Sequence, residues 1–543
     1  MPILLYLLTT CIFLIPSVVL AKIPVGININ AVNYYSPAVT FNDLMKTASK
    51  MISYPHGSGK WDSGKMERIP VDANGWPLQL PFIVKGIPQD ARFLINNQDR
   101  GEYVVLHDGK GAIKYSGKSR LVDGVLHITL TGDSSNKWLD ITNSTSGNHI
   151  RNMRIIPLRF KDNEQTMPAF RDDFIQGLQP FHVLRFLDFG QINKSKQVEW
   201  SDRNTKNTYT QGNDKGVAWE YMIELCNRLE ADAWILVPHM ASDDYLTRLA
   251  QLLLNNLDSE RKLYIEFSNE LWNWIFPQSQ YVLENAPNHP NPYVSAGLAA
   301  INPDAKGHPE KDAYMMARLF RIFSGVWGAQ SDRLIRVATG QHAWVDNSRR
   351  ILKYLFTTDG IGADALSVGG YFNYNTADHD VWVAMNPDDV TPEMILASAA
   401  QSMPDHANTK TRQSAAFAAQ YGVDYIVYEG GQHMQPHKQK EWTYNHAVYD
   451  AQIHPRMYDL YMQNFAVHEE PAVNCKLFMA YSYIGKRESR WGSWGHLESL
   501  NQVGAPDLGT IAPKYRALLD INGPSRHRQP AVKSNVLSVE VIQ

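Results

Sequence analysis

The stretch YIEFSNELWNW, residues 264–274, opens with strand-forming residues and closes on asparagine and tryptophan, with two glutamates four positions apart. Side chains of a β-strand alternate between its two faces. Tyr264, Glu266, Ser268 and Glu270 therefore share one face, and Leu263, Ile265, Phe267 and Asn269 share the other. Apart from Asn269 the second set is the greasier, so it is expected to meet covering helices while the first points inward. A carboxylate as deep as Glu266 has to be paired or neutral, because burying an isolated charge is prohibitive. Arg185 and Arg336 are the expected partners. Glu270, two repeats of the pleat further on, should sit at the rim.

Working outward, seven more runs read as strands, at 23–31, 182–189, 232–239, 333–341, 363–372, 423–431 and 475–485, with the opening one at 262–269. Between them lie runs with apolar residues spaced by three and four, such as VAWEYMIELCNRLEA at 217–231. Strands alternating with helices imply an α/β fold with a parallel sheet, and eight such units over this length imply a (β/α)8 TIM barrel. The barrel is assigned to 22–79 and 161–523, with a first helix at 41–52 and long loops at 275–312 and 373–400. Residues 80–160 break the rhythm, alternating with period two between Gly and Asp turns, which reads as an inserted all-β, sandwich-like module. Residues 524–543 read as a C-terminal tail.

Residues 1–21 carry no charged side chain and end in Val19-Leu20-Ala21, the small-residue pattern of a signal peptide cleavage site. Secretion or periplasmic export is the expectation, with an uncleaved anchor as its alternative. Of three cysteines one lies in that segment, so Cys226 and Cys475 are expected as two buried thiols rather than a disulfide framework. A net charge of −3 offers no basic face for nucleic acid and no polybasic membrane patch. His433 and His437 are four apart, but Pro436 breaks any helix between them and no third ligand stands out, so no metal and no cofactor are expected. Two sequons, Asn143-Ser144-Thr145 and Asn193-Lys194-Ser195, are present.

Catalytic groups of such barrels come from the C-terminal ends of the strands. Strand two delivers Arg185 and Asp188, strand three His239, strand four Asn269 and Glu270, and strand five Gln341 and His342. Strand six delivers Tyr371, strand seven Glu429 ahead of a Gly430-Gly431 turn, and strand eight is followed by Arg490, Trp491 and Trp494. Two carboxylates on strands four and seven face each other across the barrel mouth. Glycosidic cleavage needs such a pair: one acid protonates the leaving oxygen while the other carboxylate attacks the anomeric carbon or activates water.

This ordered set resembles the clan A glycoside hydrolases, retaining (β/α)8 enzymes with Asn-Glu on strand four and Glu on strand seven, and is similar to the cellulase-type family five. The resemblance covers the barrel and not the inserted module. It implies Glu270 as acid/base and Glu429 as nucleophile of a double displacement. It further implies substrate-binding roles for Arg185, His239, Asn269, His342, Tyr371, Trp491 and Trp494. Two departures stand out: His342 follows strand five where that family's second histidine goes with strand six, and SNELWN replaces the commoner Asn-Glu-Pro. The implied activity is that of a secreted hydrolase of β-glycosidic bonds in a polysaccharide or oligosaccharide. The alternative is a non-catalytic carbohydrate-binding barrel. An esterase is disfavoured, since no Gly-x-Ser-x-Gly elbow occurs.

Overall fold

Strands covered on both faces need near-continuous apolar runs, and the barrel strands have them. In the computed structural model, which describes residues 23–301, 309–435, 444–489 and 491–522, Val25–Asn28 and Val183–Arg185 are buried throughout. Eight parallel strands close in chain order: Val25–Asn28, Val183–Arg185, Asp232–Val237, Leu263–Phe267, Leu334–Thr339, Ala365–Phe372, Asp424–Gln432 and Phe478–Ala480. The ring shuts where Val25 pairs with Phe478, and Ile27 pairs with Leu184 on its other side. The α/β barrel expected from the sequence is therefore the fold. The proposed signal peptide, the C-terminal tail, His437 and Arg490 fall outside the described residues.

Helices between the strands form where amphipathic spacing and a cap coincide. Asp243–Asn256 begins at Ser242, whose hydroxyl accepts from the Tyr245 amide, and buries Tyr245, Leu246, Leu249, Ala250 and Leu253 on one stripe. No helix among the described residues is long and apolar enough to cross a membrane. Cys226 and Cys475 are separate buried thiols.

The first helix differs from the expectation. In place of a helix at 41–52 there is one 3₁₀ turn, Leu44–Thr47, capped by Asp43. The chain is then extended and Ile52–Pro55 pairs antiparallel with Ile87–Ile95. The inserted module thus reaches back to residue 52, well before residue 80. Ile52 and Tyr54 find a strand partner far along the chain, and that long-range ladder overrides the local helical spacing. The module has two antiparallel sheets. One holds Arg151–Pro157, Arg100–Asp108, Val125–Thr131 and Ser119–Val122; the other is built on Ile52–Pro55, Ile87–Ile95, Lys137–Ser144 and Gly111–Tyr115. Their inward residues, among them Phe93, Leu139, Ile141, Ile128 and Leu130, are buried. The two long loops also carry helices, Pro277–Leu283 and Pro292–Ala300 in one, Thr376–Ala384 and Pro392–Met403 in the other.

Candidate active site

The lower layer of the barrel mouth is organised by one arginine. Arg185, the last residue of strand two, is fully buried. Its Nε and Nη2 donate to the two oxygens of Glu266, each at 3.0 Å, the bidentate match of guanidinium to carboxylate. Nη1 donates to Asn28 Oδ1 at 2.9 Å and to Glu429 Oε2 at 3.3 Å, and Nη2 donates to Asn269 Oδ1 at 3.2 Å. Trp234 donates its indole N–H to Glu266 at 2.8 Å, and the Trp234 and Tyr428 rings flank the guanidinium at 5.6 and 5.2 Å. Burial raises the Glu266 carboxyl, while Arg185 and Trp234 pull it back. Of its two expected partners Glu266 has Arg185; Arg336 instead pairs with Asp364 at 2.8 Å on the next strand's approach.

Above this layer the backbone departs from regular strand geometry twice, once at each carboxylate. Strand four ends at Phe267, and both Ser268 and Glu270 are left-handed, at φ 56° and 44°. For residues with a Cβ this costs about 1–3 kcal/mol each, a strain that clusters at functional positions. It turns Asn269 down onto Arg185 and lifts Glu270 to the rim, where Glu270 is half-buried and accepts from Asn273 Nδ2 at 3.0 Å. The Asn269 carbonyl accepts from Gln278 Nε2 at 3.1 Å, holding the turn. On strand seven, Val368 pairs with Val427 but Gly369 pairs with Glu429, so Tyr428 is an extra residue, a β-bulge. The bulge lets Tyr428 and Glu429 both reach Arg185. Gly430 and Gly431 stay within the strand instead of turning. A Cβ on Gly430 would meet the Phe478 ring at 2.5 Å, so close packing against strand eight is what requires this glycine.

Burial raises both Glu429 and Glu270 above the ordinary carboxylate range. Around Glu429 the opposing pull of Arg185 is outweighed by burial and by the charges of Glu270, Asp188 and Glu266. Carboxyls coupled in this way titrate as a pair. Glu429, pushed up to about 8 by burial, touches the Arg185 guanidinium, whereas Glu270 accepts from the Asn273 amide; contact with the cation is what favours the ionised form of Glu429.

The wall of the mouth is aromatic. Tyr371, at the end of strand six, lies 5.1 Å from the His433 ring and 5.9 Å from Trp494, and its hydroxyl is held un-ionised by burial and by the nearby Glu429. Tyr481 meets Trp494 at 5.8 Å and donates to Asp188 at 2.8 Å. Trp494 faces this cluster and donates its Nε1–H to the Trp491 carbonyl at 2.9 Å, while Trp491 is 53% exposed. His239 is buried against Tyr281, and burial lowers it to about 4, leaving a neutral imidazole. His342 has its Nε2 3.2 Å from Thr411 Oγ1, in the first turn of the helix Thr409–Tyr421.

Sequence reasoning missed several participants. Asn28 ties strand one to strands seven and eight through the Tyr428 and Ala480 carbonyls. Asn193, read only as a sequon, accepts from Asn269 at 3.2 Å and from Gln278 at 2.7 Å. An inward amide at a strand end was the available signal for Asn28; nothing in the sequence marks Asn193. A crevice of about 620 Å³ lies elsewhere, between barrel and module beside Asp43, Trp76, Arg154 and Tyr221, and shares no residue with the carboxylate set.

No family model matches the sequence, and no curated protein matches it. Among solved structures, it is similar to a GH51 arabinofuranosidase from Xanthomonas axonopodis pv. citri, at 14% identity and a TM-score of 0.38, covering 60% of this chain and 62% of that one. It is also similar to an alpha-L-arabinofuranosidase from Thermotoga maritima in an arabinose complex, at 12% identity, TM-score 0.37, covering 65% and 63%. A third likeness is to the CBM22-1 and GH10 modules of an endo-1,4-beta-D-xylanase from Clostridium thermocellum complexed with xylohexaose, at 9% identity, TM-score 0.36, covering 92% and 98%. The matched part spans less than two thirds of either arabinofuranosidase. The first and third are assigned to families 51 and 10 rather than to family five. Likenesses this distant leave the reaction and substrate of this chain to be argued from its own residues.

Proposed function

We propose that the protein is a retaining glycoside hydrolase acting on β-glycosidic bonds of a polysaccharide or oligosaccharide, with Glu270 as acid/base and Glu429 as nucleophile. The observation that carries this reading is the pair itself. Two carboxyls from strands four and seven share the barrel mouth, each raised by burial, and only one of them is in contact with the buried Arg185. In the first step Glu270 gives its proton to the glycosidic oxygen as the Glu429 carboxylate bonds to the anomeric carbon and the aglycone leaves. In the second, Glu270 takes a proton from water, whose oxygen displaces Glu429 from the same carbon. The configuration is retained and both carboxyls return to their starting states. Asn269, fixed by Arg185 and Asn193, is placed to bond a hydroxyl beside the reacting carbon. Trp494, Tyr371 and Tyr481 offer the apolar faces on which sugar rings stack. The segment 1–21 supports export to where such polymers are found.

The test is turnover of soluble β-glycans and aryl β-glycosides, with the product anomer followed by NMR. The expected result is hydrolysis with retention, and a loss of about 10⁴-fold or more in Glu429→Gln. Binding of glycan without turnover of any glycoside by the unmutated protein would replace the enzyme with a carbohydrate-binding barrel.

A further inference from the structure

Asp188 is a third carboxylate at the mouth, three residues past the end of strand two, and the double displacement has no use for it. It is half-buried, within reach of solvent. Its Oδ2 accepts the Tyr481 hydroxyl at 2.8 Å, and Tyr481 is anchored through its amide to the Gly430 carbonyl, one residue from Glu429. No partner for Oδ1 occurs among the described residues. The arrangement is expensive. Burial raises Asp188, only Tyr481 and Arg185 offset that, and the Asp188 charge adds to the rise of Glu429. Arg185 cannot neutralise it by contact, because its five N–H groups are committed to Glu266, Asn28, Glu429 and Asn269. A carboxylate kept beside a nucleophile that it disfavours, with one oxygen clamped and the other open, is suited to accept a hydrogen bond from a ligand.

We infer that Asp188 is a specificity-determining residue whose Oδ1 accepts a hydrogen bond from one ring hydroxyl of the sugar unit that Glu429 attacks, with Tyr481 fixing the carboxylate plane. The inference rests on the glycoside hydrolase reading. Its consequence is a substrate class: glycans whose reacting unit carries that hydroxyl free, not deoxygenated, alkylated or acylated. A site built to bond a hydroxyl discriminates strongly against analogues lacking it, since the buried acceptor is then left unpaired.

The experiment compares kcat and KM of the full-length wild type, Asp188→Asn and Tyr481→Phe on the aryl glycoside that wild type cleaves best, and on its set of monodeoxy analogues. We expect Asp188→Asn to lose roughly 10- to 100-fold in kcat/KM on the parent glycoside. On the one analogue lacking the partner hydroxyl, the same variant should fall within about 3-fold of wild type, since the lost bond is absent from both. A merely structural role would depress every substrate alike. A second readout is the pH profile. Glu429 is faced by Arg185, Glu266, Glu270 and Asp188, and by the hydroxyls of Tyr371, Tyr428 and Tyr481. Removing the Asp188 charge leaves Glu429 easier to ionise, so the acidic limb of kcat/KM moves to lower pH by about half a unit. Should Asp188→Asn fail to fold, Tyr481→Phe keeps the charge and frees the carboxylate to rotate, and its loss should again concentrate on the parent substrate. Equal losses on the parent and all analogues, or no loss on the parent, overturn the inference and leave the enzyme reading standing. Absence of any wild-type turnover removes both.

Discussion

Two buried arginines in this molecule do similar things in different company. In the inserted module Arg92 forks onto Asp140 at 2.6 and 3.0 Å, with Tyr54, Trp61 and Trp138 around its guanidinium at 4.3–5.3 Å. In the barrel Arg185 forks onto Glu266 between Trp234 and Tyr428. The module's clamp joins one cation to one anion, and the neighbouring Asp90 carboxylate has its own partner in His56, 2.9 Å away. Arg185 carries two further acceptors with functional neighbours, Glu429 and Asn269, and its layer supports a second one holding Glu270 and Asp188. One cation beneath four carboxylates leaves a proton to be shared among them. That surplus of acid over base separates a structural clamp from a site that can move protons.

Four substitutions sharpen the contrast. Glu270→Gln, which leaves the lower layer intact, should lose about 10²- to 10⁴-fold in kcat on glycosides with a poor leaving group and far less on a nitrophenyl glycoside, whose leaving oxygen needs no proton. Equal loss on both substrates would remove Glu270 from the acid role. Glu266→Ala strips Arg185 of its bidentate partner and leaves a buried charge, so chemical denaturation should report a destabilisation of about 3–5 kcal/mol. Asp140→Asn should cost about 1–3 kcal/mol by the same assay with kcat/KM unchanged, because the module's clamp touches no reacting group. A drop in kcat/KM there would mean that the two regions are coupled. His342→Ala should change kcat/KM by less than about 3-fold, its ring being engaged with Thr411 in the helix layer.

The barrel was legible because each strand is an apolar run between amphipathic helices, and that pattern depends on local composition. Eight of the nine helical runs read from the sequence, from Asp172–Leu178 to Pro513–Asn522, form helices, several with an added cap or turn. The failure at 41–52 came where apolar spacing of three and four met a distant strand, Ile87–Ile95, that competes for the same residues. The depth of Glu266 followed from alternation, as strand four is regular up to Phe267. Beyond Phe267 alternation has no authority, since Ser268 and Glu270 are left-handed. Nor does it hold across Tyr428, where the bulge shifts strand seven by one residue against strand six.

Sequence alone therefore determined the barrel, the order in which its strand ends deliver Arg185, Asn269, Glu270, Tyr371 and Glu429, and the need of Glu266 for an arginine. Those follow from period, composition and the cost of a buried charge, which are local properties. Which arginine serves Glu266, where His342 goes and how Glu270 and Glu429 are aimed were decided by tertiary structure. Pairing, strain and bulges depend on neighbours hundreds of residues away, and no local pattern encodes them.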